Sequence, residues 1–331
     1  MKNGFIYSYQ LDATNASKPL TLEHINQWSS NDGLLWLHLN YTDPDALAWI
    51  QSSALPDIEK DALTTRRIRP RLNQTKEGFF LSLRGIDIES NTHSDVPAEM
   101  VSIRGYYTKN MIITTSDRPV RALDRVSAHI VGGFGPKTIG AFILCLCDHL
   151  TSNKMEVIDT LDDRLTALED QVMNNSDENL RNNIAVLRRE TVYLRRYVTP
   201  QRDAIAKLLT IDTPLLSLSD KQKIHEVNEK LIHVLDDLNA IRERANVTQE
   251  ELMSLQSEAL NQRLYFLSLI TTIFLPLGFL TGLLGVNLGG IPGAQYHWAF
   301  FIFCGLLFGV LILQLVLFYR KNGYKLIMTI K

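Results

Sequence analysis

Between Leu264 and Tyr319, near the end of a chain of 331 residues, fifty-six successive residues include no Asp, Glu, Lys or Arg. His297 is the one side chain of the run whose charge changes near neutral pH. The segment VNLGGIPGAQYH (Val286 to His297) divides the run into Leu264–Leu284 and Trp298–Tyr319, apolar stretches of 21 and 22 residues. A helix crosses the hydrocarbon core of a bilayer in about 20 residues and satisfies its own backbone hydrogen bonds there. The spacing therefore predicts a membrane hairpin: one span over 264–285, a loop over 286–297, a second span over 298–319 and a tail over 320–331.

Orientation follows from positive charge. Arg263 precedes the first span, Arg320, Lys321 and Lys325 follow the second, and the loop has neither Lys nor Arg. The expectation is that both chain ends are cytoplasmic and the loop lies outside. No basic start leading into an apolar run opens the chain, so about 260 residues are expected to stay in the cytoplasm. A formal net charge of -2 gives no footprint for nucleic acid, which needs a clustered basic face. Cys145, Cys147 and Cys304 cannot pair evenly and are read as reduced thiols.

Residues 1–135 read as an α/β domain. β-type runs occur at 4–9, 34–39, 78–83, 98–107 and 110–116, the last two joined by a tight turn at Lys109-Asn110. Helix-like stretches begin near Thr21, Asp43 and Asp57, each placed as an N-cap. Strands alternating with helices and then ending in a hairpin predict a mixed sheet. His38 is a tempting metal ligand, but a single His in a strand is more often a packed one. The basic run RRIRPR (66–71) reads as a solvated helix end closed by Pro70. VGGFGPKTIG (131–140) fails as a nucleotide loop, because Pro136 stands before Lys137-Thr138 where Gly is needed. Pro136 is expected in the first turn of the next helix.

Residues 136–263 read as a helical stalk. One helix is expected over 137–173 and another from Asp177 to about Thr210, interrupted at Pro200. Cys145 and His149 stand at i and i+4 with Asp148 nearby, an incomplete zinc pair or ordinary core residues. The third segment is the informative one. From Asp220 to Leu275 there is no Pro or Gly, and the positions 224, 227, 231, 234, 238, 241, 245, 248, 252, 255, 259 and 262 keep a 3-4 heptad spacing. Ten of those twelve are Ile, Val, Leu or Ala. Such a seam marks a helix packed along its length against others, in an oligomer. With no breaker before the first span, one helix is expected from Asp220 to Gly285, about 100 Å at 1.5 Å per residue.

Continuing the stalk's period through the span gives a face of Asn261, Leu264, Leu267 or Ser268, Thr271, Leu275, Gly278 and Gly282 that leads to Asn287. It mixes amide, hydroxyl, apolar and small groups; small residues also let membrane helices pack closely. Here a resemblance becomes specific. TTIFLPLGFLTGLLGVNLGGIPG (271–293) is similar to the pore-helix end of the CorA superfamily of metal-ion transporters, whose Gly-Met-Asn signature is Gly285-Val286-Asn287 in this chain. The Val, the acid-free loop, LWLHLNY (35–41), RPR (69–71) and LRRYVTPQRD (194–203) resemble the ZntB-type zinc transporter branch.

The resemblance implies a CorA-like funnel: an α+β membrane protein with a cytoplasmic α/β domain, a long helical stalk and two C-terminal transmembrane helices. It further implies a homopentamer in a bacterial inner membrane, its first spans lining one pore, with Asn287 as a ring of metal-facing amides. Amide oxygens hold a hydrated divalent ion through its waters and still release it. The transported ion would be Zn2+, with Co2+, Ni2+ or Cd2+ beside it, and no cofactor is implied. The face holds no Cys or His for a zinc cage, so zinc preference comes from the resemblance. Proton coupling, thought to operate in that branch, would fall to His297 or cytoplasmic groups. The alternatives are a CorA-type magnesium/cobalt channel and a membrane-anchored signalling scaffold. No paired carboxylates, triad or intact nucleotide loop point to an enzyme.

Overall fold

The computed structural model describes residues 4–11, 18–29, 32–66, 68–87, 99–174, 179–286, 293 and 296–328, the last eight as backbone only. It divides into two compact units, Met1–Glu250 and Glu251–Lys331.

The first unit opens with β1 (Phe5–Leu11), β2 (Lys18–Pro19), α1 (Leu22–Gln27), β3 (Leu34–Asn40), α2 (Pro44–Ser52) and α3 (Asp57–Thr64). It continues with β4 (Arg71–Gln74), β5 (Gly78–Asp87), β6 (Glu99–Thr108), β7 (Met111–Ser116) and α4 (Arg121–Val131). The strands form one sheet in the order β2-β1-β3-β7-β6-β5-β4. Among the described residues only the β3–β7 pair is parallel, which makes the sheet mixed as expected. The β6–β7 hairpin turns through Lys109 and Asn110, with Thr108 opposite Met111.

Alternation along β3 builds both faces of the sheet. Leu35, Leu37 and Leu39 join Ala46 and Ile50 of α2, Leu63 of α3, Phe80 and Ile113 in one core. Trp36 and His38 point the other way: the Trp36 ring meets Phe142 edge-on with centroids 4.9 Å apart, and its Nε1 donates to Thr114 Oγ1 at 3.0 Å. On that side Tyr7 donates to Asp124 of α4 at 2.6 Å.

Among the described residues three long helices follow: α5 (Ile139–Met173), α6 (Leu180–Thr210) and α7 (Leu218–Gly285). The eight seam positions from Ile224 to Thr248 are buried within this single chain. Arg244 of α7 bonds Asp162 and Glu169 of α5, and Lys230 reaches Asp148 at 2.7 Å. Partly exposed ion pairs stabilise by about 0–1 kcal/mol each. Full burial of a Val, Leu or Ile contributes roughly 1.5–3 kcal/mol, so the seam decides. This part of the seam is filled intramolecularly, which corrects the reading of it as an oligomer contact.

Several local expectations are corrected. Thr21 makes no capping bond and its hydroxyl meets His24 Nδ1 instead; Asp57 lies inside α3, behind Pro56. Asp43 does cap α2, accepting from Asp45 and Ala46 N–H. Helix α3 ends at Thr64, ahead of the basic run, and Pro70 is buried where the chain enters β4. Pro136 lies outside α5, which Thr138 caps by accepting from Ala141 N–H at 3.1 Å. Pro200 sits inside an unbroken α6. Packing holds that helix together across it: Val198, Gln201, Ala204 and Ile205 are buried, and Gln201 Oε1 accepts the Arg84 N–H at 2.8 Å.

The second unit holds the far part of α7 and α8 (Ala299–Met328). Pro276 lies inside α7 and has no N–H for the carbonyl four residues back, that of Thr272. Gln314 of α8 fills the vacancy, its Nε2 donating to Thr272 O at 3.3 Å. An unpaired carbonyl in an apolar layer is costly, so this bond favours the observed register of the two helices.

Two predictions follow from this packing. Gln314→Leu should destabilise the folded protein in detergent by about 0.6–1.7 kcal/mol, with Pro276→Ala restoring it by returning the missing donor; denaturant titration of both reads this out. Lys154 is buried and donates to Arg84 O and Leu150 O at 2.9 and 3.0 Å, and burial holds its ammonium down to about 7. The unfolded chain binds this proton up to about pH 10.4, so the group penalises folding fully below pH 7. Stability therefore climbs from pH 7 toward pH 10. Lys154→Met should flatten that slope in denaturation measured across the window.

Candidate functional site

The part of α7 beyond Leu264 has two unlike sides. Leu269, Ile273, Pro276, Leu277 and Leu280 are half-buried, and on α8 Phe303, Leu307, Val310, Gln314 and Phe318 repeat at three- and four-residue spacing with the same partial burial. The Gln314–Thr272 bond joins the two helices. At 3.6 residues per turn, Leu264, Thr271, Leu275, Gly278 and Gly282 fall in one sector on the opposite side of α7. All five are exposed, as is Asn261 at the sector's edge.

The small residues of this sector are not there to admit α8. A Cβ built on Gly278 or Gly282 would meet no atom within 4 Å. Thr271, Leu275 and Gly278 instead line a shallow open groove of about 600 Å³ together with Ile270, Phe274 and Phe279. Thr271 donates its hydroxyl back to Leu267 O at 2.9 Å, which leaves the oxygen's lone pairs as acceptors on an otherwise apolar surface. Helix α7 ends at Gly285, and Val286 after it is exposed. Asn287 lies outside the described residues. Both α7 and α8 contain a stretch long and apolar enough to cross a membrane, with none of either stretch buried in the chain.

The candidate metal ligands elsewhere separate cleanly. His38 is fully buried, with Nδ1 3.1 Å from Thr114 Oγ1 and Nε2 3.3 Å from Ser116 Oγ. Burial pushes its imidazole down to about 4, so it is a neutral packing residue with both nitrogens engaged. Cys145 and His149 do share a face of α5, but Asp148 beside them is drawn to Lys230. His129 of α4 joins the pair instead.

Sequence reasoning missed two polar residues that matter here. Gln314 stands alone in an apolar span, and a Pro four residues after Thr272 was the available signal for its partner. His129 escaped because α4 was not recognised, although Ala122, Leu123, Val126 and Ile130 of that helix are all buried.

Relatives agree with this architecture. The family described as CorA-like Mg2+ transporter protein matches residues 31–320. The zinc transport protein ZntB of Yersinia pseudotuberculosis (serotype O:1b, strain IP 31758) is 35% identical over 320 residues, covering 96% of this chain and 95% of its own. That of Pectobacterium carotovorum subsp. carotovorum (strain PC1) is 34% identical over 303 residues, covering 91% of this chain and 90% of its own. Among solved structures, the full-length CmaX protein superposes with a TM-score of 0.83 at 32% identity, over 97% of this chain and 98% of that one. The CorA magnesium transporter of Methanocaldococcus jannaschii shares the fold, with a TM-score of 0.80 at 19% identity over 95% and 98%. A match over nearly the whole length, with a sheet-bearing unit, a long helix and a C-terminal apolar helix in order, places the chain in the CorA-like family of divalent-cation transporters.

Proposed function

We propose that the chain carries Zn2+, with Co2+, Ni2+ and Cd2+ as related cargo, across the bacterial inner membrane through the centre of a homopentamer. The observation that carries this reading is the exposed sector of α7, turned away from α8 and left open by the described residues. Its supports are the ZntB relatives, identical at about one position in three along nearly the whole length.

In this reading the sectors of five copies face one another. Leu264 and Leu275 form apolar constrictions that a hydrated ion passes or that dewetting closes. Thr271 and the backbone at Gly278 and Gly282 offer oxygen between them. Gly285-Val286-Asn287 ends the helix so that five Asn287 amides collar the outer mouth and hold the ion through its water shell. Asn261 stands at the inner end. The positive charges at Arg263 and Arg320 favour an orientation in this reading with both chain ends in the cytoplasm and the loop outside.

Neither span contains a carboxylate to relay protons, so coupling to a proton gradient would run through His297 or groups outside the spans. The family description names Mg2+, which makes a magnesium channel the second reading.

Flux into liposomes loaded with a zinc-sensitive dye tests both. Wild-type protein should fill them faster than Asn287→Ala by at least about tenfold, a barrier change of about 1.4 kcal/mol. Filling no faster than empty vesicles would leave only an anchored scaffold, and faster Mg2+ than Zn2+ entry would favour the second reading. An imposed pH gradient should speed zinc entry if protons are coupled.

A further inference from the structure

Helices α4 and α5 bring three metal-ligating side chains together in the sheet-bearing unit. His129 lies in the last turn of α4, and Cys145 and His149 lie one turn apart on α5. Their ligand atoms all fall within 4.8 Å of one another. Cys145 Sγ is 3.8 Å from His129 Nδ1, and the two imidazole centroids are 5.1 Å apart. In a tetrahedral zinc site, metal–sulfur and metal–nitrogen bonds of about 2.3 and 2.0–2.1 Å put one sulfur and two nitrogens roughly 3.3–3.6 Å apart. The cluster needs a contraction of at most about 1.5 Å to reach that geometry, and exposed His129 has room to supply it.

A second observation points to a ligand. His149 Nε2 is buried and has no hydrogen-bond partner. Leaving such an atom unpaired destabilises the fold, and a coordinated cation would remove that cost. The neighbouring charges fit the same role. Burial, with His129 and Arg125 nearby, holds the His149 imidazole below its usual range and so in the neutral form that binds metal. Burial pushes the Cys145 thiol up to about 11, with Asp148 adding to it, so the empty cluster keeps its proton. An incoming divalent cation takes the sulfur lone pair, the S–H bond breaks and the proton leaves to solvent.

We propose that His129, Cys145 and His149 form a binding site for a zinc-type divalent cation, with three protein ligands and a fourth position open to water. One thiolate and two imidazoles select Zn2+, Co2+ or Cd2+ over Mg2+, which requires oxygen ligands. Asp148, between Cys145 and His149 in sequence, holds Lys230 of α7 at 2.7 Å, so an ion here would sit beside the α5–α7 ion pair. The proposal stands whether or not the spans conduct.

Titration of the reduced full-length protein in detergent with Co2+ tests it by absorption. The site should give a thiolate-to-cobalt charge-transfer band and tetrahedral visible bands that saturate at a single Co2+ per chain. Zn2+ should displace them and excess Mg2+ should not. Cys145→Ser should abolish the charge-transfer band, Cys147→Ser should keep it, and His129→Gln or His149→Gln should each weaken binding by at least about tenfold. Absence of the band in wild-type protein, a reading that needs no variant, would overturn the proposal. So would an undiminished band in Cys145→Ser.

Discussion

Hydrocarbon admits a polypeptide only when every backbone amide finds its partner inside the protein, and α7 is built around that requirement. Its 68 residues from Leu218 to Gly285 leave no break at which a soluble segment ends and a membrane segment begins. The one place where the ladder fails is Pro276, and a side chain from the next helix repairs it. The pairing of α7 with α8 is thus set by a backbone vacancy as well as by apolar area, which discriminates poorly between orientations in lipid.

Along this one helix the same period serves two purposes. From Ile224 to Thr248 the seam positions are buried within the chain, with Lys230 and Arg244 tying α7 to α5 through polar contacts. Beyond Leu264 the α8-facing side is half-covered and the opposite side is bare. A bare surface that carries Thr, Gly and Leu in register is what a family of ion transporters can use when copies assemble. Among the described residues of a single chain nothing packs over it.

Much of this was legible because the signals were periodic. The 3-4 spacing fixed α7 to within two residues of its start, and apolar runs located β1, β3, β5, β6 and β7. Strands β2 and β4 escaped because both are edges: two residues of Lys-Pro, and RLNQ with one buried side chain, have no alternation to detect. Pro200 misled because a breaker's local cost was weighed without the packing that outweighs it. The candidate site was legible in part. The exposed sector could be read from the period of α7, but its being turned away from α8 depends on which α7 stripe α8 covers. The thiol–imidazole pair on α5 could be read too, while its third member comes from a different helix.

The central claim is that water reaches one sector of α7 in the membrane. Single cysteines placed along Ile270–Gly282, in a chain with Cys145 and Cys304 replaced by Ser, and the buried Cys147 kept, can be challenged in proteoliposomes with a membrane-impermeant thiol reagent. The account predicts that Thr271→Cys, Leu275→Cys and Gly278→Cys react and are protected by Zn2+, while Ile273→Cys and Leu277→Cys do not react. Labelling that is uniform around the helix, or confined to the side that meets α8, would contradict it.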